Sequence, residues 1–447
     1  MKFRIYLTAL TFFISFIGIG QKTWTLDECV AYAIEHNLQV KNSAYDKDSG
    51  KETYRQSIRS LLPSVTAFSD ITYNTGLGDD PTTGLLVNQD FYSSNFSLNA
   101  NIDVFQGFQK LNNIKASKFI YKATQEDVLQ QKFLLAFRVM TAYYDIKFNE
   151  GLVANSLEQQ EISQANYDLV KKQVEIGLMA KADIYEAESN LLADKLLVTQ
   201  NKNLLKLAKL TLLQEMNLTE ENDIVLQETL DPQPEKINGE QSVDSVYTMA
   251  RNFVPLVKAQ DFRVKAAKKQ LQATRGGLYP SLSLVAGMRT RFSETNLDED
   301  SGELIPFENQ LNDNLARFVG AELSVPISLG WANHSRVKQQ KIAYLQAKNN
   351  LEIQEQELFQ IIQQLVQTNE ALIDEYDQSN KRVEAQELAF NIAQKRYEKG
   401  LINAIDLFQA KNLYAVTQNE NLQVGLRLKV NKSTLDFYNG LPIFNLN

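Results

Sequence analysis

From Phe96 to Val104 an apolar residue, or Ala100, occupies every second position, and Ser97, Asn99, Asn101 and Asp103 fall between them. A period of two marks a strand with one apolar and one wet face. The alternation returns from Val319 to Ile327, where Glu322 and Ser324 stand opposite the apolar set. A weaker strand precedes each of these, across a loop rich in Gly, Asp and Thr or in Asp, Glu and Asn. The pattern predicts strands over residues 64–74, 95–105, 281–291 and 317–328, one long-looped hairpin in each half of the chain.

After each hairpin the pattern lengthens. From Phe108 to Ile176 and from Trp331 to Lys399 the chain is rich in Gln, Lys, Glu, Asn, Ala and Leu, has no proline, and carries Gly151 as its single glycine. Little there interrupts a helix. At 1.5 Å per residue each run makes a helix of roughly 100 Å, a coiled-coil length rather than that of a globular core. Return helices are expected over 181–217 and 403–439. Ahead of the strands, Thr25 and Glu28 have the spacing of a capping box, and Pro63 forces an end on the helix before it.

The turn between each pair of long helices occurs twice in related form. Val174-Glu-Ile-Gly-Leu-Met-Ala-Lys-Ala-Asp-Ile-Tyr-Glu-Ala187 matches Tyr397-Glu-Lys-Gly-Leu-Ile-Asn-Ala-Ile-Asp-Leu-Phe-Gln-Ala410. Gly177-Leu178 and Gly400-Leu401 read as helix stops, with Asp183 and Asp406 six residues beyond each glycine at the next helix start. The copies align at an offset of 217 up to Pro63/Pro280 and of 223 from Gly107/Gly330 onward. The chain is therefore read as a duplicated helix, β-hairpin, long helical hairpin unit: a first repeat over 21–232, an extended Pro/Gly-rich linker over 233–240, and a second repeat over 241–447.

Composition adds constraints to this plan. Lys2 and Arg4, the apolar run from Ile5 and the small residues around Gly20 have the form of a signal peptide over 1–20, too short to span a bilayer as an anchor. Without that segment the formal charge falls from -8 to -10, which argues against a nucleic-acid partner. Cys29 is the single cysteine, so no intrachain disulfide forms, and it is expected to be a small buried residue. His36 and His334 are the two histidines and occupy unrelated places, so no metal site or nucleophilic cluster is assembled, and neither cofactor nor enzyme chemistry is expected.

Four strands with one apolar face pose a closure problem. A sheet in hydrocarbon must leave no backbone edge unpaired, and about eight strands is the smallest membrane barrel. Several chains must then share one barrel, with Phe91, Tyr92, Phe105, Phe108, Tyr279, Phe318 and Trp331 as aromatic girdles. Two other readings stay open on the pattern: a periplasmic adaptor, which has one helical hairpin between β-rich parts, and a coiled-coil scaffold without a pore.

With the duplicated order and both tips in view, the chain resembles the TolC-like outer-membrane efflux and secretion channels over about residues 24–440. The resemblance implies a mainly α protein with a membrane β-barrel: a homotrimeric twelve-stranded β-barrel in outer-membrane lipid, continued by an α-helical periplasmic tunnel. It implies a passive exit duct of a tripartite efflux or type I secretion system, fed by an inner-membrane pump through a periplasmic adaptor (membrane fusion) protein.

By the same resemblance Gly177, Leu178, Gly400 and Leu401 are the adaptor-docking tips, and Asp183, Glu186, Tyr397, Asp406 and Gln409 belong to the periplasmic entrance. Two departures stand out. Gln409 replaces a second acid three residues after Asp406, and the arginine that locks the best-known member's entrance would fall at Ile402. Lys181, Arg396 and Lys399 are the expected substitutes for that arginine, by their nearness to the tips in sequence.

Overall fold

The computed structural model describes residues 23–79, 84–221, 223–227, 242–298, 300–328, 330–441 and 444. The expected signal peptide and linker lie outside them. In chain order the elements are β1 (Thr23–Trp24), α1 (Leu26–His36), α2 (Leu38–Arg59), β2 (Ser64–Asn74), β3 (Leu77–Asp79), β4 (Leu86–Asn88), β5 (Phe91–Gln106), α3 (Gln109–Glu175) and α4 (Lys181–Met216). They continue with β6 (Val225–Leu226), α5 (Val243–Phe253), α6 (Pro255–Gly276), β7 (Ser281–Ser293), α7 (Phe307–Asp313), β8 (Ala316–Ser324), α8 (Ala332–Glu398) and α9 (Ala404–Tyr438). The chain is thus mainly helical, with helical hairpins α3–α4 and α8–α9. Compact packing cuts across the two repeats: one unit combines Tyr45–Glu126 with Leu256–Gln354, and the other combines the described residues up to Ala44 with Asp127–Pro255 and the chain from Glu355.

The first of these units holds the sheet. Its strands run in the order β2-β5-β7-β8, all antiparallel, so that β5 of the first repeat pairs with β7 of the second over Ser93–Gln106. The two expected hairpins therefore form one sheet. The register puts Thr66, Asn99, Gly287 and Phe318 in one row, and Val65, Ala100, Ala286 and Val319 in the next, facing the other way. Polar and apolar faces are thus kept apart across the sheet. β8 ends two residues before Pro326, whose lack of an N–H makes it unfit for a ladder. The short pairs β3–β4 and β1–β6 go beyond the four expected strands.

Two of the expected girdle aromatics face the wrong way for lipid. Phe91 pairs with Asn74 on the polar face and is buried, and the Phe318 ring covers Gly287 on that same face. The apolar face instead pairs Tyr92 with Tyr73, ring centroids 4.9 Å apart. Phe105, Phe108, Tyr279 and Trp331 are exposed. A register irregularity separates Asp103 from Phe105, and the Asp103 carboxylate is held by Lys110 Nζ at 2.8 Å and Ser283 Oγ at 3.0 Å. That accounts locally for the residue that stands where the second copy has Pro326. Each strand then gives way to its long helix through two successive left-handed residues, Gly107-Phe108 and Gly330-Trp331. A Cβ at Gly107 would lie 2.2 Å from the Gly276 carbonyl oxygen, so only glycine fits.

In the other unit a core forms around α1, α3 and α4. Cys29, Val30 and Ala33 pack with Leu135, Val139, Met140, Tyr143, Ile146, Leu212 and Met216, and Cys29 is fully buried as a small apolar residue. Thr25 and Glu28 form the reciprocal capping box at the start of α1. Asn37 Oδ1 then accepts from Gln39 and Val40 N–H to start α2.

Candidate functional site

The sequence concentrates candidate function at the ends of the long helices, and there the two copies close alike. At the first tip Gly177 takes φ 79°, its N–H donates to the Val174 carbonyl at 3.0 Å, and the Leu178 N–H donates to the Gln173 carbonyl at 2.8 Å. At the second, Gly400 takes φ 69°, its N–H donates to Tyr397, and the Leu401 N–H donates to Arg396. Both are Schellman closures, which satisfy carbonyls that a helix end otherwise leaves unpaired. Asn217-Leu218 and Gly440-Leu441 repeat the same two bonds at the other ends of α4 and α9.

A Cβ at Gly177 or Gly400 would meet nothing within 4 Å. These glycines are required by backbone angle alone. Beyond them the apolar side chains stand in water: Leu178 is 73% exposed and Leu401 63%, with Ile176, Tyr185 and Ile405 similarly open. Apolar side chains grouped at a helix turn are a contact surface in search of a partner.

The return helices start differently. Asp183 Oδ2 accepts the Ala180 backbone N–H at 2.9 Å, so this acid is part of its helix start. In the second copy Asn403 Oδ1 accepts the Asp406 N–H at 2.9 Å, and the Asp406 carboxylate has no hydrogen-bond or ion-pair partner among the described residues. Glu186, Asp406 and Gln409 are exposed.

Tyr397 links the copies. It is 8% exposed and packs with Phe390, Leu407 and Tyr414, against Ile162 and Leu169 of α3. Burial raises its pKa first, and the charges of Asp183 and Glu186 raise it further. The structure thus brings Asp183, Glu186 and Tyr397 together, but the Tyr397 hydroxyl has no hydrogen-bond partner. Ile402 joins the same apolar cluster, and none of Lys181, Arg396 and Lys399 forms an ion pair among the described residues. At this end the hairpins are joined by apolar packing rather than by a charged lock.

A charged link does exist farther along the helices, where the sequence reading did not look. Lys411 of α9, only 2% exposed, reaches Asp194 Oδ2 of α4 and donates to Ser163 Oγ of α3 at 2.7 Å; Ser163 in turn bonds Asp194. Its ammonium also lies 4.4 Å from the Phe408 ring centroid. Burial lowers the Lys411 pKa, against the opposing pull of Asp194. Repeat comparison gave no sign of this group, because the positions matching Lys411 and Asp194 hold Glu188 and Thr417. A signal was present in the spacing: Lys411 stands between Leu407 and Tyr414, and Asp194 between Leu191 and Val198, each on the buried stripe of its helix.

Comparison with known proteins agrees with this architecture. The family model for "Outer membrane efflux protein" matches residues 30–217 and 246–441, one stretch in each repeat. The probable outer membrane lipoprotein SilC of Salmonella typhimurium is 21% identical over 421 residues, covering 91% of this chain and 83% of SilC. The outer membrane protein TolC of Escherichia coli K12 is 21% identical over 379 residues, covering 84% of this chain and 73% of TolC. Among solved structures, the CmeC outer membrane channel of Campylobacter jejuni superposes with a TM-score of 0.78 at 15% identity, covering 93% of this chain and 85% of CmeC.

Proposed function

This chain belongs to the outer membrane efflux protein family and is a non-enzymatic efflux channel of the bacterial outer membrane; from that premise we propose that three copies share one twelve-stranded barrel and a periplasmic helical tunnel. The observation that carries the shared barrel is the sheet. Among the described residues its outer strands β2 and β8 have no second neighbour, and Val65, Ile71, Val319 and Leu323 are exposed. A four-stranded open sheet cannot stand in hydrocarbon, and pairing β8 of one copy with β2 of the next removes every edge. The polar rows then line water. On α4, Leu192, Leu196, Leu207 and Leu210 are also exposed and suit contact with a neighbouring copy.

The chain conducts passively, and a periplasmic adaptor couples it to an inner-membrane pump. Leu178 and Leu401, presented by Gly177 and Gly400, are the adaptor-docking tips. Asp183, Glu186, Tyr397, Asp406 and Gln409 form the entrance, where acids favour cations over anions. The adaptor and scaffold readings lose their ground: two helical hairpins and a sheet with open edges fit neither.

Light scattering on detergent-solubilised outer-membrane protein tests the reading, followed by conductance in planar bilayers. Three chain masses and discrete conductance steps are expected. A monomer without conductance overturns the shared barrel. Cysteines placed at Leu178 and Leu401 are expected to crosslink to the adaptor, and failure at both positions removes the docking assignment.

A further inference from the structure

Beside the apolar contacts of Ile162 and Leu169, part of the inward face of α3 is polar where helix pairs are ordinarily apolar. Ser156, Gln159 and Ser163 are each 2–3% exposed, and with Asn166 they follow the three-and-four spacing of a buried stripe. Two amide hydrogen bonds span α3 and α9: Asn155 donates to Asn419 at 2.8 Å, and Gln418 to Glu158 at 3.2 Å. Others are missing. Both amide atoms of Gln159, Oδ1 of Asn166 and Oε1 of Gln418 are buried without a partner. A polar interface with unmade bonds holds its register weakly, because a shift of one helix along the other exchanges one partial set of partners for another.

Lys411 is the exception. It bonds α3 through Ser163 and α4 through Asp194, and it is nearly inaccessible to water. Ion pairs elsewhere in this unit, such as Arg138–Glu215, Arg251–Glu355 and Arg382–Glu420, keep at least one partner substantially exposed. A buried ion pair adds little net stability over an apolar pair of the same shape, but leaving one partner behind is costly, and its best-attested use is to fix register. Moving α9 out of its present register would strand Asp194 and Lys411 and open the Phe390, Tyr397, Leu407 and Tyr414 cluster.

We propose that Lys411, with Asp194 and Ser163, is the pin that holds the second hairpin against the first in the resting, low-conductance register, and that the polar seam from Ser156 to Asn166 is the surface along which α9 shifts once the pin releases. The proposal rests on the channel reading above. It places the hold between hairpins within the chain, eleven residues beyond Gly400 and away from Ile402. Lys411 and Asp194 act as positioning residues: they need not touch cargo.

The test compares the full-length wild type with Lys411→Met, Asp194→Asn and the exposed-pair control Arg382→Met. Time spent open in planar bilayers is expected to rise about tenfold in the first two variants, within the range of couplings between sites, and not in the control. Amide hydrogen exchange over residues 402–410 is expected to quicken in the same two and stay unchanged in Arg382→Met. A merely structural lysine would lower thermal stability without a rise in open time. Intact Lys411→Met and Asp194→Asn trimers that open like wild type overturn the pin, as does an equal rise in the control. If Lys411→Met does not assemble, Asp194→Asn decides alone. Should the wild type itself not conduct, the channel reading fails, and hydrogen exchange still judges the pin: unchanged exchange in both variants overturns it.

Discussion

At the first tip an acid completes the start of its own helix; at the second, an asparagine does that work and the matching acid is left to water. Asp183 and Asp406 occupy the same place in the repeat, and Gly177 and Gly400 close their helices with the same two bonds. The difference begins three residues earlier, where Ala180 has no side-chain acceptor and Asn403 has one. Duplication thus fixed where the chain turns, and a single capping residue decided which carboxylate is committed to structure. The second hairpin is the one that carries the uncommitted charge and also the pin residue Lys411.

The largest effect is expected where the tips are alike. Gly177→Ala and Gly400→Ala each place a Cβ at positive φ with no neighbour in reach, so each is expected to cost about 1–2 kcal/mol, and the two by the same amount. Thermal unfolding followed by circular dichroism checks this; clearly unequal losses would mean that the closures are not equivalent. Next come the helix starts. Asn403→Ala is expected to cost about 1 kcal/mol and to speed amide exchange in the first turn of α9. Asp406→Asn leaves that turn untouched and lowers cation preference in a reversal-potential measurement, whereas Asp183→Asn loosens the start of α4. If both aspartate variants loosened their helices equally, the asymmetry drawn here would be gone.

The smallest effect concerns Tyr397. Its hydroxyl is buried without a partner, so Tyr397→Phe is expected to be neutral or stabilising by up to about 1 kcal/mol. The sign of the pH effect follows from the raised pKa. Above the ordinary phenol range, the folded chain still holds a proton that the unfolded chain has released. Tyr397 therefore contributes to stability that is full below that range and is lost as pH rises through the raised folded value. Tyr397→Phe should flatten this part of an alkaline unfolding curve, and an unaltered curve would show that the tyrosine remains wet.

What the sequence made legible was local or repeated. Period-two runs marked the four long strands, the proline-free runs marked α3 and α8, and the paired Gly-Leu steps marked both tips. Pairing of β5 with β7 was beyond reach, since register between strands about 180 residues apart leaves no trace in either strand's own pattern. Phe91 and Phe318 were misplaced because aromatic type was read before parity: both sit in step with the polar residues of their strands. In the candidate site, the repeat singled out Asp183 and Glu186 and the family resemblance singled out Tyr397, and their role at the entrance is the proposal made above. Lys411 and Asp194 were missed for the same reason, because a contact made by one copy alone is invisible when the copies are compared. Their place on apolar stripes was the available clue.

The outer strands of the sheet have a consequence for the life of the chain before assembly. β2 and β8 each present a run of unpaired backbone donors and acceptors, eleven and nine residues long, beside exposed apolar side chains. Long bare edges of this kind recruit any strand they meet, a wrong one as readily as a right one. With the shared barrel proposed above, a newly exported copy is in a race between pairing with its own kind and off-pathway aggregation. Because pairing is bimolecular and stability grows with protomer concentration, the folded channel becomes a matter of supply: sparse export and slow delivery to the membrane favour the aggregate, and chaperones that cover strand edges favour the channel.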